Sequence, residues 1–547
     1  MKKKNIILIF LVVLIYVVLF AMSGIMAEAK NIEELFSAFV RYYEIYIYVV
    51  PTILLSQFIY SKRGKGDKFD LFYLFLLLGV EIVLVYAVDK VVSSYFLDTA
   101  ELGKIILKFI FSLILSVILP VIVNLIKNKQ ETLKKYFFEH RYFILFFIFL
   151  LFKMLLQSDI NINPWASVWL AMNYSDGLSS RLLQGTVLSF FAEEGFVSQK
   201  IIQLYIMTAW LALIFLVSYM LDRLFRDTEE KMKPALLYIT ILFLVMPGNI
   251  EFLWTKENVG RAETFTLVLV FLTVCIFQKI NNSMFKYIFL SAMTVFCMAS
   301  YQAYLFLYFP IIFTLMVYEI YEHKENCKKN LVGTGVTCII TAISFVFFQF
   351  FSTIKYESLD ELVSVLSQRT DMEINVDALY HECFGNAKIG WQTFYSVMII
   401  DGNTEYLREL GFICILLISP LLLFFAESWK RILKDSSNMK LVRNPYFWII
   451  LSDIAIIPQF LLTMDWGRWF SAMLIVQFFQ ILYLVYKRDC GVKNVLNIID
   501  SFVAKHKLLS SFLIIYLCSL SRFQAAVQTD DARRILRNII RVVESIF

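Results

Sequence analysis

Little in this chain is ionisable. Charged residues make up 18% of 547 and histidine occurs 4 times, against 59% apolar side chains and a mean hydropathy of +0.69. That charge is well under the roughly 25% usual in soluble domains, so a soluble globular fold is excluded on composition. Cysteine is sparse and unpatterned. Of 8 cysteines none is spaced as CxxC; Cys275, Cys297, Cys338, Cys414 and Cys518 lie in apolar runs, and Cys383 is alone in a long polar segment. This indicates neither a disulfide framework nor a zinc site, and leaves buried thiols as the reading. The 9 prolines and 18 glycines form no linker, and no repeat or low-complexity segment divides the chain. A net charge of +6 is spread too thinly to imply a nucleic-acid partner.

What is abundant is hydrocarbon. Between Asn5 and Val527 there are about fifteen apolar runs, most long enough to cross a bilayer as helices, because only helices or closed barrels satisfy their backbone polar groups there. The expected fold is therefore all-α: a polytopic integral membrane protein of about fifteen (13–15) transmembrane helices forming one membrane domain over 1–527. An amphipathic interfacial tail over 528–547 follows, with Ile535, Ile539, Val542 and Ile546 on one face bordered by Arg534, Arg537 and Arg541. Lys2 to Lys4 and the run after them read as an uncleaved signal-anchor, although Ala27-Glu28-Ala29 also fits a cleavage site.

The cations give a direction. With the N-terminus cytoplasmic, 31 of the 51 Lys+Arg fall in the N-terminus and the segments 61–68, 127–141, 222–233, 279–286, 322–330, 429–444 and 487–507. The positive-inside rule then places these segments on the cytoplasmic side of the membrane. Five arginines from Arg522 to Arg541 run against this count. The stretch from Tyr287 to Tyr321 is too long for one crossing, and basic loops on both sides favour two, with the bend near Ser300-Tyr301-Gln302.

Two outer loops, 158–200 and 352–410, are long enough to be functional and to carry short interfacial helices, such as one beginning near Leu359. The first contains Asp159 and then Tyr174-Ser175-Asp176-Gly177-Leu178-Ser179-Ser180-Arg181. Here an Asp-Gly turn can start a helix, with Asp176 and Ser179 near its amino end and Arg181 in its first turn. These residues either cap a helix and pair with lipid phosphate, or place a base beside a phosphate clamp. A second group runs from Glu251 to Arg261-Ala262-Glu263, at the outer start of a span. A carboxylate at Glu263 needs a partner there, either Arg261 or a bound ligand. The third is Asp465-Trp466-Gly467-Arg468-Trp469, a tight outer turn that reads either as interface anchors or as a guanidinium fork for an anionic headgroup. His381 follows Glu373 and Asp377 at helical spacing but completes no metal-ligand set. Glu81 and Asp453 lie mid-span, where carboxylates default to a functional reading.

This arrangement resembles the bacterial polytopic GT-C-type glycosyltransferases at the level of architecture, with Asp159 and Asp176 in a long outer loop after a span. The paired Asp-Glu that the class usually carries after its first span is absent, and the loop here follows the fifth. The resemblance implies transfer of a sugar from a polyprenyl-phosphate donor to a cell-envelope glycan or lipid acceptor. Asp176, and next Asp159, would act as general base, and Arg181, Arg261 and Arg468 would hold the phosphate leaving group, supported by Glu251, Glu263, Asp465, Trp466 and His381. It names no certain cofactor, leaves a divalent cation possible, and implies a multi-pass protein of a bacterial-type plasma membrane. Its partners are membrane lipids and the polyprenyl-phosphate-linked sugar. Two other readings stand beside it: a transporter, flippase or polymerase of envelope polysaccharide, needing Glu81 and Asp453 in one path, and a non-catalytic membrane scaffold.

Overall fold

The computed structural model describes residues 139–519 apart from 158–160, 193–194, 247, 256–257, 385–403, 437–438 and 463–464. The N-terminal anchor, Glu81, Asp159 and the 528–547 tail therefore lie outside the described residues. The chain divides into two compact units, Met1–Leu156 with Asp530–Phe547, and Gln157–Thr529. Of the first, the described part is essentially one apolar helix, α1 (Arg141–Gln157). The site belongs to the second unit.

That unit is mostly helical and membrane-embedded. Among the described residues five helices are long and apolar enough to cross a bilayer, at Gln199–Asp227, Lys233–Trp254, Ser283–Ser300, Lys324–Phe350 and Gly467–Tyr486, and three further apolar helices are shorter. The described residues do not confirm about fifteen crossings, and within them some apolar runs are interrupted. The 445–460 run, for example, divides into helix Pro445–Asp453, a 3-10 turn at Ile454–Ile456 and helix Ile457–Leu462.

In chain order the elements after α1 are α2 (Pro164–Ala171), β1 (Gly177–Leu178), α3 (Leu182–Ser189), α4 (Gln199–Asp227), α5 (Lys233–Val245), α6 (Ala262–Phe277) and α7 (Ser283–Ser300). Then come α8 (Tyr304–Leu307), α9 (Phe309–Glu322), α10 (Cys327–Phe350), β2 (Thr353–Ile354), α11 (Leu359–Arg369) and α12 (Val376–Leu379). The last are α13 (Thr404–Asp435), α14 (Pro445–Asp453), α15 (Ile457–Leu462), α16 (Trp466–Tyr486), α17 (Cys490–Lys505) and α18 (Lys507–Ser519). The apolar window of α5 is wholly buried, which makes it the axis of the bundle, whereas that of α10 is 17% buried and lies at the periphery.

Helix α10 is built inside out. Val332, Val336, Ile339, Ile343 and Phe350 point outward, which water would penalise and lipid does not. Its buried stripe is Asn330, Thr334, Thr337 and Thr341, at helical spacing, with Gly333 beside it. A Cβ on Gly333 would stand 2.3 Å from the Tyr287 ring of α7, so only glycine admits this approach. Ser291 and Thr337 hydrogen-bond across the seam at 3.1 Å. Small and hydroxylated residues at the contact are how helices associate where lipid removes the hydrophobic drive.

The expected bend is present. Helix α7 stops at Ser300, Tyr301 is extended (φ −163°, ψ 114°), and the chain resumes in α8 and α9. The return is antiparallel, because Lys286 at the start of α7 pairs with Glu319 near the end of α9. Further polar ties join the segments expected on one side: Lys487 to Glu322, Lys493 to Glu229, Asn494 to Asp435, and Arg488 to the Asp227 carbonyl. Asp489 caps α17 and accepts the hydroxyls of Tyr318 and Tyr446 at 3.1 and 2.6 Å. These basic segments therefore gather at one end of the bundle.

At the other end the two long loops form a single cap. Gly177 pairs with Ile354 and Leu178 with Thr353 in a short antiparallel ladder. Gly177 has φ +152°, and a Cβ there would meet the Thr353 carbonyl at 2.1 Å, so this crossing requires glycine. Behind the ladder, Val168, Trp169, Met172 and Leu182 of the first loop pack on Leu362, Leu366, Ala378 and Leu379 of the second. Ser358 caps α11 by accepting the Glu361 N–H. The amphipathic helix anticipated near Leu359 is thus present, but its apolar face covers the first loop instead of lying free for a membrane surface.

Candidate functional site

Where the cap meets the bundle, charge collects at the break between α7 and α8. Arg181 is placed there by the first loop: its N–H donates to the Ala299 carbonyl at 2.7 Å, and next to it Ser180 donates to Gln302. Arg181 is the N-cap of α3 at φ 73°, a left-handed conformation costly for a residue with a Cβ. The anticipated cap is therefore replaced: neither Asp176 nor Ser179 caps this helix, and Arg181 precedes its first turn. The Arg181 guanidinium sits between two aromatic faces, 5.1 Å from the Trp169 ring centroid and 5.0 Å from that of Tyr301. Such a backbone outlier, held by packing on both sides, is where function commonly stores strain.

Arg468, in the first turn of α16, is buried at 4% exposure. Its Nη2 donates to Glu263 Oε1 and to the Tyr301 hydroxyl at 3.3 Å, and its Nη1 donates to Asp465. Glu263 thus finds its partner 205 residues away in Arg468, and not in the neighbouring Arg261. Arg181 and Arg261 both lie close enough to Arg468 for their charges to act on it. Three guanidinium groups from three separate segments therefore share one locality with the carboxylates of Glu263 and Asp465. The set is not internally satisfied: Glu263 Oε2, Arg468 Nε and Arg261 Nε are buried without a hydrogen-bond partner among the described residues. Three guanidinium groups with orphaned Nε donors at a helix break suit an oxyanion with several acceptor atoms.

A polar chain runs inward from the break. Tyr205 donates to Gln184, Gln184 to Ser300 at 2.8 Å, and Ser300 exchanges a 3.2 Å bond with Thr266. Gly185 belongs to the same packing, since a Cβ there would overlap the Met172 carbonyl at 1.6 Å. Glu251 is buried in the 3-10 turn Ile250–Trp254, next to the segment that leads to Arg261.

Asp176 has a different set of partners. It is fully buried; Oδ2 accepts Arg369 at 2.6 Å and the Asn173 N–H at 2.9 Å, and Oδ1 accepts the Tyr356 hydroxyl at 2.7 Å. No hydrogen bond or ion pair joins it to Arg181, Arg261 or Arg468. Arg369 and Tyr356 come from the second loop, so Asp176 is the electrostatic tie of the cap. Burial, and then the bond to Asp176, raises the Tyr356 phenol above its usual range. Burial alone would lower the Arg369 guanidinium, but contact with Asp176 outweighs it and the net shift is upward.

Of the four residues expected to converge, Arg181, Arg261 and Arg468 come together and Asp176 stands apart from them. Trp466 begins α16 beside Asp465. His381 falls in the π turn Tyr380–Phe384, while Glu373 and Asp377 are exposed, and among the described residues no three His, Cys, Asp or Glu side chains come together as a metal site. Asp453 is held by Gln477 and by Gln480 at 2.8 Å. Sequence reasoning missed Trp169, Tyr356 and Arg369 as parts of the arrangement. Tyr301 was within reach, since a polar bend inside an apolar run marks the one place where backbone and side chains can face a ligand at membrane depth. No protein-family model, curated protein or solved structure matches this chain.

Proposed function

We propose that this protein is a multi-pass membrane glycosyltransferase of the GT-C type, which takes a sugar from a polyprenyl-phosphate donor and passes it to a cell-envelope glycan or lipid acceptor on the outer face. The observation that supports the reading is the meeting of Arg181, Arg261 and Arg468 around Glu263 and Tyr301 at the α7–α8 break.

In the transfer, the bond between the anomeric carbon and the phosphate oxygen breaks as the acceptor oxygen bonds to that carbon, and the acceptor proton passes to a carboxylate. Charge grows on the departing phosphate. Preset guanidinium groups stabilise it without reorganising, and one such donor is typically worth about 10²–10³ in rate. Glu263 is 2% exposed and paired with Arg468, whereas Asp465, also paired with Arg468, is 37% exposed. Asp465 is thus the carboxylate an incoming hydroxyl reaches, contributing about 10²–10⁴ as general base. Asp176 serves as a positioning residue: it ties down the cap that carries Arg181 and Trp169.

The test is transfer from a polyprenyl-phosphate-linked sugar in proteoliposomes, comparing wild type with Arg181→Ala, Arg468→Lys and Asp465→Asn at matched protein levels. Loss of at least a hundredfold in each is expected. Arg468→Lys keeps the charge but not the fork, so undiminished transfer there and in Arg181→Ala would remove the phosphate clamp, and absence of transfer by wild type would remove the reading itself.

A further inference from the structure

Towards the end of the bundle opposite the arginine cluster, α4, α5, α6 and α16 line a narrow cleft of about 80 Å³ that opens to the surface. Its walls are hydrocarbon and aromatic, including Val217, Phe271, Val274 and Ile475, with Phe243 stacked on Phe478 at 3.8 Å. One end is polar. Arg223 donates to Gln278 at 3.0 Å and lies 5.2 Å from the Tyr486 ring centroid, and all three residues line the cleft. Gln278 caps α6 and Tyr486 ends α16, so this rim stands about 26 Å along α6 from Arg261, at 1.5 Å per residue.

The rim differs from its surroundings in charge balance. Neighbouring cations have carboxylates: Arg226 pairs with Asp222, Lys286 with Glu319, Lys487 with Glu322 and Lys493 with Glu229. Arg223 and Lys279 do not. Both act electrostatically on the Cys275 thiol in the cleft wall. Lys279 stands 5.9 Å from the ring of Tyr219, another wall residue. Among the described residues neither cation has a carboxylate partner. A guanidinium at the mouth of a hydrocarbon slot, bonded to a neutral amide and a ring face, is poised for a bidentate phosphate, and the slot below it accepts what is attached to that phosphate.

We propose that this cleft holds one anionic phospholipid from the leaflet at that end, with one of its two acyl chains between α6 and α16 and its phosphate on Arg223 and Lys279. The proposal is independent of the transfer chemistry above. Charge complementarity selects the headgroup, and the apolar walls select a chain. The occupancy ties together four helices, of which α6 and α16 carry Glu263 and Arg468 at their far ends.

The experiment is native mass spectrometry of the full chain from nanodiscs containing equal phosphatidylglycerol and phosphatidylcholine, together with photo-cross-linking from p-benzoylphenylalanine at position 274. Wild type is expected to retain phosphatidylglycerol about tenfold over phosphatidylcholine, Arg223→Gln/Lys279→Gln to lose that preference, and the cross-link to carry a phospholipid mass. Equal retention of both lipids by wild type, unchanged preference in the double variant, or a cross-link to a peptide of this chain or of a second copy would overturn the proposal. The double variant alters partly exposed rim residues, so its folding is checked by its elution and melting profile; if it misfolds, Arg223→Lys serves, and is expected to weaken the preference.

Discussion

Arg181 combines an unfavourable backbone with a favourable side-chain setting, and the two effects are of similar size. A left-handed conformation costs a residue with a Cβ roughly 1–2 kcal/mol, which glycine would recover. The two ring contacts, in a partly buried place, contribute between about 0.5 and about 2 kcal/mol each. Arg181→Gly should therefore leave the melting temperature within a few degrees of wild type while abolishing function. A large loss of stability in the same variant would mean that Arg181 is a structural strut. Asp176 should behave oppositely. Removing Arg369 leaves a fully buried carboxylate with only Tyr356 and one N–H, and because Arg369 is itself 23% exposed, Arg369→Ala should cost near or below the lower end of the ~3–5 kcal/mol typical of a broken buried pair. Thermal melting of the variant decides this. The raised Tyr356 phenol gives the same tie a pH signature. A folded-state value above the unfolded one contributes stability that is complete below the unfolded value, about 10 for tyrosine, and is lost as pH rises through the folded one. The stability difference between wild type and Tyr356→Phe should hold constant from pH 6 to 9 and change above about pH 10; a change near neutrality would contradict the assignment.

At the scale of elements, identical letters in the sequence acquire different work. In α10 the run Leu331-Val332-Gly333-Thr334-Gly335 offers two glycines with no local distinction. A side chain on Gly333 strikes the Tyr287 ring, whereas nothing lies within 4 Å of one on Gly335. Gly333→Ala should destabilise by the ~1–3 kcal/mol of an overpacked contact, and Gly335→Ala should be neutral or stabilise by up to ~1 kcal/mol through helix propensity. Melting of the two variants side by side checks the α7–α10 seam, and equal effects would place that seam elsewhere. The same limit on legibility applies to α11. Ser358 and the spacing of Leu362 and Leu366 announce a helix and its apolar face from sequence. What covers that face is set by Trp169 and Leu182, nearly two hundred residues earlier, and no local pattern carries that. The bend at Tyr301 was legible for the opposite reason: it is a conflict between run length and bilayer thickness, which a sequence does record.

For the whole molecule, charge distribution reads better than crossing number. The basic segments near 222–233, 279–286, 322–330 and 487–507 do meet at one end through Lys286–Glu319, Lys487–Glu322 and Lys493–Glu229. The described residues leave the count of about fifteen spans unconfirmed, and the 445–460 run, broken after Asp453, shows how an interrupted run looks continuous in composition. The separation of the two ends yields the last prediction. Leu178 and Thr353 are partners in the cap ladder, and both are exposed. Directly opposed antiparallel residues lie about 4.5–5.5 Å apart at Cα, within the span a disulfide bridges. Leu178→Cys/Thr353→Cys should therefore cross-link under mild oxidation, shifting mobility on non-reducing gels once a protease site is placed between the loops. Lys231, 66% exposed at the basic end, should as a lone Lys231→Cys react with an impermeant maleimide only from the side opposite to Leu178→Cys. Labelling of positions 178 and 231 from the same compartment would break the bundle reading, and with it the idea that a phosphate clamp and a lipid slot face opposite leaflets. Opposite labelling without the cross-link would keep the bundle and dissolve the cap, leaving Arg181 without the structure that holds it between Trp169 and Tyr301.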